Sequence, residues 1–220
     1  MGAAGAAASV LLVGLLHVIV DPAQVNPVRR TISEYALGEY KLIFDAGVLA
    51  LALGSVAVLV GLIRTRVLRA ASAPAVLLAV WSVSLVVVVA FEKTNWSIGP
   101  SVGGYIHRYA SLVAFLSLPI GALLVARQWR RHAGWGGHAR WTHRLAAVSL
   151  VWLAPILAGF ALRPLTGVPW WRAVPLGLLE RGLAATEVAL VVALGLWAAA
   201  RARQQLIPAT ARPAVELRQA

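Results

Sequence analysis

Glu187 follows Glu180 by seven residues, two helical turns, so both carboxyls project from one face of a helix. At about 1.5 Å of rise per residue, Glu187 lies about 10 Å further along that face. Asp45 comes four residues after Lys41, the spacing at which an acid and an amine pair on a helix. Glu92 precedes Lys93, His107 precedes Arg108, and His17 stands one turn before Asp21. All of them interrupt or border apolar runs. A charge in hydrocarbon costs at least about 2.5–3.5 kcal/mol on insertion scales, and such residues face a bundle interior or a water-filled cavity. Two chemistries fit. Ion pairs such as Lys41–Asp45, or Glu92 with Arg108 or Arg181, would lock helices together. Alternatively, a desolvated carboxylic acid at Asp45 or Glu187, partnered by Glu92 and His107, would donate a proton.

Aromatic side chains fall at similar depth: Phe44, Phe91, Trp96, Tyr105, Trp170 and Trp171. As an interfacial belt they would anchor helix ends. Beside a proton-donating acid, ring faces would instead stabilise a carbocation. Ser33, Ser97 and Ser101 lack the strand–turn–helix motif that activates a serine nucleophile. The chain has no cysteine, which removes disulfides, iron–sulfur clusters and Cys-ligated zinc. His132, His138 and His143 have spacings that match no metal site, and His143 lacks the inner-helix partner that a two-haem protein needs. Neither a metal nor a cofactor is expected.

Six apolar stretches must position these residues, roughly 3–20, 41–63, 71–92, 105–126, 144–162 and 178–200. Each is long enough, or nearly so, for the about 20 helical residues that cross a bilayer. Of the 220 residues, 60% are hydrophobic and 13% charged, with mean hydropathy +0.78. Soluble domains are about 45–50% apolar and about a quarter charged. Disorder is excluded, and the expected class is all-α, a polytopic bundle of six transmembrane helices. The first stretch lacks a basic leader and five spans follow, so it reads as a retained helix rather than a signal peptide.

The net charge of +12 comes from 20 Lys and Arg against 8 Asp and Glu. Those charges punctuate apolar runs, and no nucleic-acid-binding motif is present, so membrane lipids are the expected partners rather than nucleic acid. Twelve basic residues fall on one side: Arg64, Arg66 and Arg69, then Arg127, Arg130, Arg131, Arg140 and Arg144, then Arg201, Arg203, Arg212 and Arg218. The other side holds eight, so the first side should be cytoplasmic and carry both termini of a multi-pass cell-membrane protein. Reporter fusions at residues 67, 135 and 210 should then report cytoplasm, and those at 98 and 168 the exterior; one reversed interior loop would overturn the count. Seven acids (Asp21, Glu34, Glu39, Asp45, Glu92, Glu180 and Glu187) fall on the outer side, and only Glu216 does not. Orientation does not require that bias, because acids contribute little to it.

The organisation expected is a transmembrane domain over 1–200 and a basic cytoplasmic tail over 201–220. In the first outer loop, Asn26-Pro27 suits a turn or helix start, and Thr31 to Glu34 has the spacing of a capping box. Ile32, Tyr35, Ala36 and Leu37 add an apolar stripe, so a short cap helix is expected over 27–39. Gly47, Gly54 and Gly61 recur every seven residues and mark a face for close helix approach. Trp129, Trp135 and Trp141 interleave with arginines in the inner loop, a belt that attracts anionic lipid.

Asn26-Pro27 with Ile32-Ser33-Glu34-Tyr35, Gly104 with Ile106-His107, and Gly177-Leu-Leu-Glu180-Arg181 resemble the bacterial and archaeal membrane family designated domain of unknown function 998. The resemblance covers about residues 5–200. It implies a six-span bundle without an established general activity, and it marks Ser33, Glu34, His107, Glu180 and Arg181.

Two functions are therefore expected. The first is an enzyme acting by acid–base chemistry on a lipid or isoprenoid, a protonation-initiated cyclase. There Asp45, Glu187, Glu92 and His107 would be catalytic, with Glu34, Tyr35, Phe44, Trp96, Arg108, Trp171, Glu180 and Arg181 lining a hydrophobic small-molecule site. The second is a transporter, channel or accessory protein that binds a cation or small solute at the outer carboxylates.

Overall fold

The computed structural model describes residues 2–95 and 97–206, with the backbone alone at Trp170. Six of its helices are long and apolar enough to cross a membrane, with mean hydropathy of 1.9 to 2.5 over their most apolar segments. They are α1 (Gly2–Ile19), α2 (Lys41–Arg64), α3 (Ala73–Ala90), α4 (Val102–Trp129), α5 (Gly136–Thr166) and α7 (Leu176–Leu206). A four-residue helix, α6 (Trp170–Ala173), links α5 to α7. Consecutive long helices pack side by side, and α7 closes the ring against α1 and α2 while touching α4. The protein is a multi-pass, all-helical membrane protein.

Helices α4, α5 and α7 are longer than their apolar stretches. Hydropathy marks only the part of a helix that lies in hydrocarbon, whereas i→i−4 bonding continues through polar residues. At 31 residues, α5 and α7 are each about 46 Å long against a core of about 30 Å. Accordingly α7 continues to Leu206, past the boundary expected at 200, and the tail residues 207–220 lie outside the described residues. Conversely α3 stops at Ala90, so Glu92 is in the connection rather than at the end of a span.

Two apolar clusters hold the bundle. The larger spans all six long helices through Ala6, Leu62, Leu78, Leu118, Ala146 and the fully buried Trp197. The smaller joins Leu16 and Val20 of α1, Tyr35 and Ala36 of the first long loop, and Phe44 of α2. Lipid tails are as apolar as these cores, so packing and interhelical hydrogen bonds supply the drive. Trp81 Nε1 donates to Ser55 Oγ at 2.9 Å between α3 and α2, and Ser149 Oγ meets Thr186 Oγ1 at 3.1 Å between α5 and α7.

The heptad glycines of α2 serve two neighbours. Gly47 and Gly54 face α1, and Gly61 faces Ala198 of α7. A Cβ on Gly54 would stand 2.9 Å from the Gly2 carbonyl oxygen and 3.1 Å from Gly5 Cα, both backbone atoms. Gly54→Val should therefore push α1 off α2 and cost about 1–3 kcal/mol. Gly14→Ala, where nothing lies within 4 Å, should leave the detergent melting temperature unchanged. Equal melting of both variants would refute the close approach.

Candidate functional site

The end of the bundle where α2 and α4 begin carries the long loop, and we refer to it as the capped end. Asn26 starts the loop's turn: its Oδ1 accepts from the backbone N–H of Val28 and of Arg29, at 3.0 and 3.1 Å. The cap helix expected over 27–39 is instead a 3₁₀ turn at Ile32–Leu37. The capping box does not close, because both of its side chains are used elsewhere. Thr31 Oγ1 and Glu34 Oε1 accept hydrogen bonds from Lys93 Nζ, beyond the end of α3. The first turn is capped across the bundle instead, with Glu180 Oε2 accepting from Ile32 N at 3.2 Å.

Helix α7 docks this loop with three features of its first two turns. Gly177 faces the carbonyl oxygens of Pro27 and Arg30 so closely that a Cβ there would overlap them. Leu178 N donates to Val28 O at 3.2 Å. Arg181 then gathers the loop: Nη1 donates to Pro27 O at 2.8 Å, Arg30 O at 2.7 Å and Gly177 O at 3.0 Å. Its Nε donates to His17 Nε2 at 2.8 Å, while His17 Nδ1 donates to Val13 O at 2.8 Å. The His17 ring also meets the buried Tyr35 ring edge-on, with centroids 5.2 Å apart. Tyr35 and Phe44 are thus part of an apolar plug beneath the cap.

Below the plug the polar groups are less well matched. Asp45 Oδ2 pairs with Lys41 Nζ at 2.6 Å, as its spacing suggested, but Oδ1 is buried without a hydrogen-bond partner. His107 is buried, and its Nδ1 donates to Val88 O and Phe91 O at 3.0 and 2.9 Å. Those carbonyls end α3, so His107 takes the place of the next helical N–H groups. Its Nε2 is then a bare acceptor with no partner. Glu187 is 0% exposed on the buried face of α7, and neither oxygen has a partner. Arg181 Nη2 completes the set of unpartnered atoms at this end.

The structure therefore brings Glu34, Tyr35, Glu180 and Arg181 together in the cap. It sets Asp45 and His107 one or two turns into their helices, and Glu187 deeper. The chain's two lysines, Lys41 and Lys93, are both in this cluster, near enough to His107 to act on it electrostatically. Glu92 is exposed and joins no ion pair among the described residues, so the pairs expected with Arg108 or Arg181 do not form. Arg108 lies over the Tyr105 ring, 5.6 Å from its centroid, and Trp171 is exposed on α6. Trp96 lies outside the described residues. A groove of about 440 Å³ between α3 and α4 is lined by Ser84, Val87, Tyr105 and Tyr109 among others, and no carboxyl borders it.

Lys93 and Thr31 were not legible as site residues. Their signal is a lone lysine just beyond an apolar span, together with a T-x-x-E run that has no long helix to cap. Lys93→Gln should leave Glu34 only its longer contact with Arg30 at 3.9 Å and Thr31 only Ser33 at 3.1 Å, a loss of about 1.5–3 kcal/mol for hydrogen bonds from a charged donor. Limited proteolysis within 21–40 should accelerate, and an unchanged cleavage rate would show that Lys93 does not hold the cap.

The arrangement is a cap held by charged hydrogen bonds and, beneath it, acceptor atoms that lack donors. No curated protein and no solved structure matches the chain. The family model described as "Protein of unknown function (DUF998)" matches residues 3–197, nearly the whole described bundle. The chain belongs to the DUF998 family.

Proposed function

We propose that this protein is a membrane transporter or ion-binding protein that takes a proton or small cation from its capped end to Glu187. The observation that carries this reading is the Glu187 carboxyl, fully buried with both oxygens unpartnered. Buried polar groups are ordinarily hydrogen-bonded and intramembrane acids ordinarily paired, yet no described side chain pairs with this one. Four of the five unpartnered atoms in this half, all but Arg181 Nη2, are acceptors. Acceptors await a donor proton or a cation. In this reading Glu180 and the Lys93–Glu34 latch receive the solute at the mouth, and Asp45 and His107 flank its route. The acid bias and the count of basic residues favour a capped end outside the cell, with both termini cytoplasmic.

A cyclase acting on an isoprenoid has less support. It needs an acid and aromatic faces around one apolar cavity, whereas Glu92 and Trp171 are exposed and the apolar groove has no acid. Reconstituted vesicles with an internal pH-sensitive dye test the proposal. Wild-type protein should dissipate an imposed proton or cation gradient, and Glu187→Gln should not. Equal flux through both would refute the role of Glu187. Turnover of an added isoprenoid without any flux would favour the enzyme.

A further inference from the structure

The opposite end of the bundle has chemistry that ion uptake does not use. Arg130 and Arg131, where α4 ends, and Arg140, His143 and Arg144, on the first turns of α5, line one cavity of about 330 Å³. None of the ion pairs among the described residues involves them, and the first turn of α5 contains no acid. Four guanidinium groups around one space repel each other unless an anion sits between them. Their forked donors match the oxygens of a phosphate. The walls are fixed: the short connection between the helices is pinned by Gly136 N donating to His132 O at 2.8 Å and by the buried Trp135.

We propose that this cavity binds the phosphate headgroup of an anionic membrane lipid. Two observations favour a lipid over free phosphate. Helix α5 exceeds the hydrocarbon thickness and its apolar stretch starts only at about residue 144, so its first turns, with Arg140 and Arg144, are expected in the headgroup layer. Below them, Trp141, Val148 and Val151 are exposed at helical spacing, 61%, 43% and 69%, on the same side as Arg144. Arg144 lies over the Trp141 ring, 5.4 Å from its centroid, joining the cationic cavity to that apolar stripe. A headgroup in the cavity can therefore lay its acyl chain along α5. Basic pockets between membrane helices hold lipid headgroups in this way.

The test is lipid binding to the full-length protein in detergent, read by native mass spectrometry and by thermal shift. The probes are phosphatidylglycerol, phosphatidylcholine and inorganic phosphate. Wild-type protein should retain phosphatidylglycerol about tenfold better than phosphatidylcholine, and R140Q/R144Q should lose most of that preference. R64Q/R69Q, with the same change of charge at the same end, should keep it. R140K/R144K keeps the charge without the fork, and should show an intermediate preference even if the glutamine variant fails to fold. Displacement of phosphatidylglycerol by millimolar inorganic phosphate would overturn the proposal in favour of a free-anion site. Equal loss in R64Q/R69Q would overturn it in favour of diffuse charge.

Discussion

Glu187→Leu should melt at a higher temperature than the wild type and carry no proton or cation flux. The carboxyl is fully buried, flanked on its helix face by Leu183, Leu190 and Val191, and neither oxygen has a partner. A buried polar group left unsatisfied costs about 1–3 kcal/mol, and an apolar replacement of similar shape removes that cost. A structural acid behaves in the opposite way, because deleting one partner of a buried ion pair destabilises by about 3–5 kcal/mol. The sign of the stability change therefore separates the two roles before any transport is measured. Glu187→Gln should fold and lose flux. Lower melting of Glu187→Leu would mean that the carboxyl holds helices together.

The second large effect is expected at Arg181. Arg181→Gln removes a guanidinium that ties α7 to α1 through His17 and to the cap through the carbonyls of Pro27 and Arg30. Hydrogen bonds from a charged donor are worth about 1.5–3 kcal/mol each, and water replaces part of that at exposed carbonyls, so a net loss of about 2–4 kcal/mol is expected. The same change should loosen the cap over this end of the bundle. Flux in Arg181→Gln vesicles should rise or become unselective while thermal stability falls. If stability falls but flux stays unchanged, the cap does not gate Glu187. Glu180→Gln should be milder: the amide oxygen still accepts from Ile32 N and only the charge near Lys93 is lost.

The membrane fold was legible because insertion physics acts on composition alone. Six apolar stretches have no alternative to helix in a bilayer, and their loops announce themselves by charge. Glu180 and Glu187 were legible for a similar reason, since a seven-residue spacing fixes a shared face wherever the helix ends up. Lys41–Asp45 is likewise local. The cap was only half legible. Its apolar stripe correctly placed Tyr35 and Ala36 inward, but the Thr31–Glu34 spacing suggested a capping box where the side chains serve Lys93, 62 and 59 residues away. Arg181 reaches His17 across 164 residues, and no periodicity encodes such a pairing. Glu92 misled for a physical reason. Apolarity runs on to Phe91, but His107 takes the Val88 and Phe91 carbonyls and α3 ends before the acid.

Whether Glu187 exchanges a proton or a cation with the solution is the most direct question to put to this protein. Infrared difference spectroscopy on reconstituted vesicles reads carboxyl groups directly, with Glu187→Gln identifying the band. The account predicts a buried-carboxyl band that responds to a change of pH or of cation in the wild type and is missing in Glu187→Gln. A Glu187 band that ignores both pH and every cation tried would contradict it, because the carboxyl would then be sealed within the bundle.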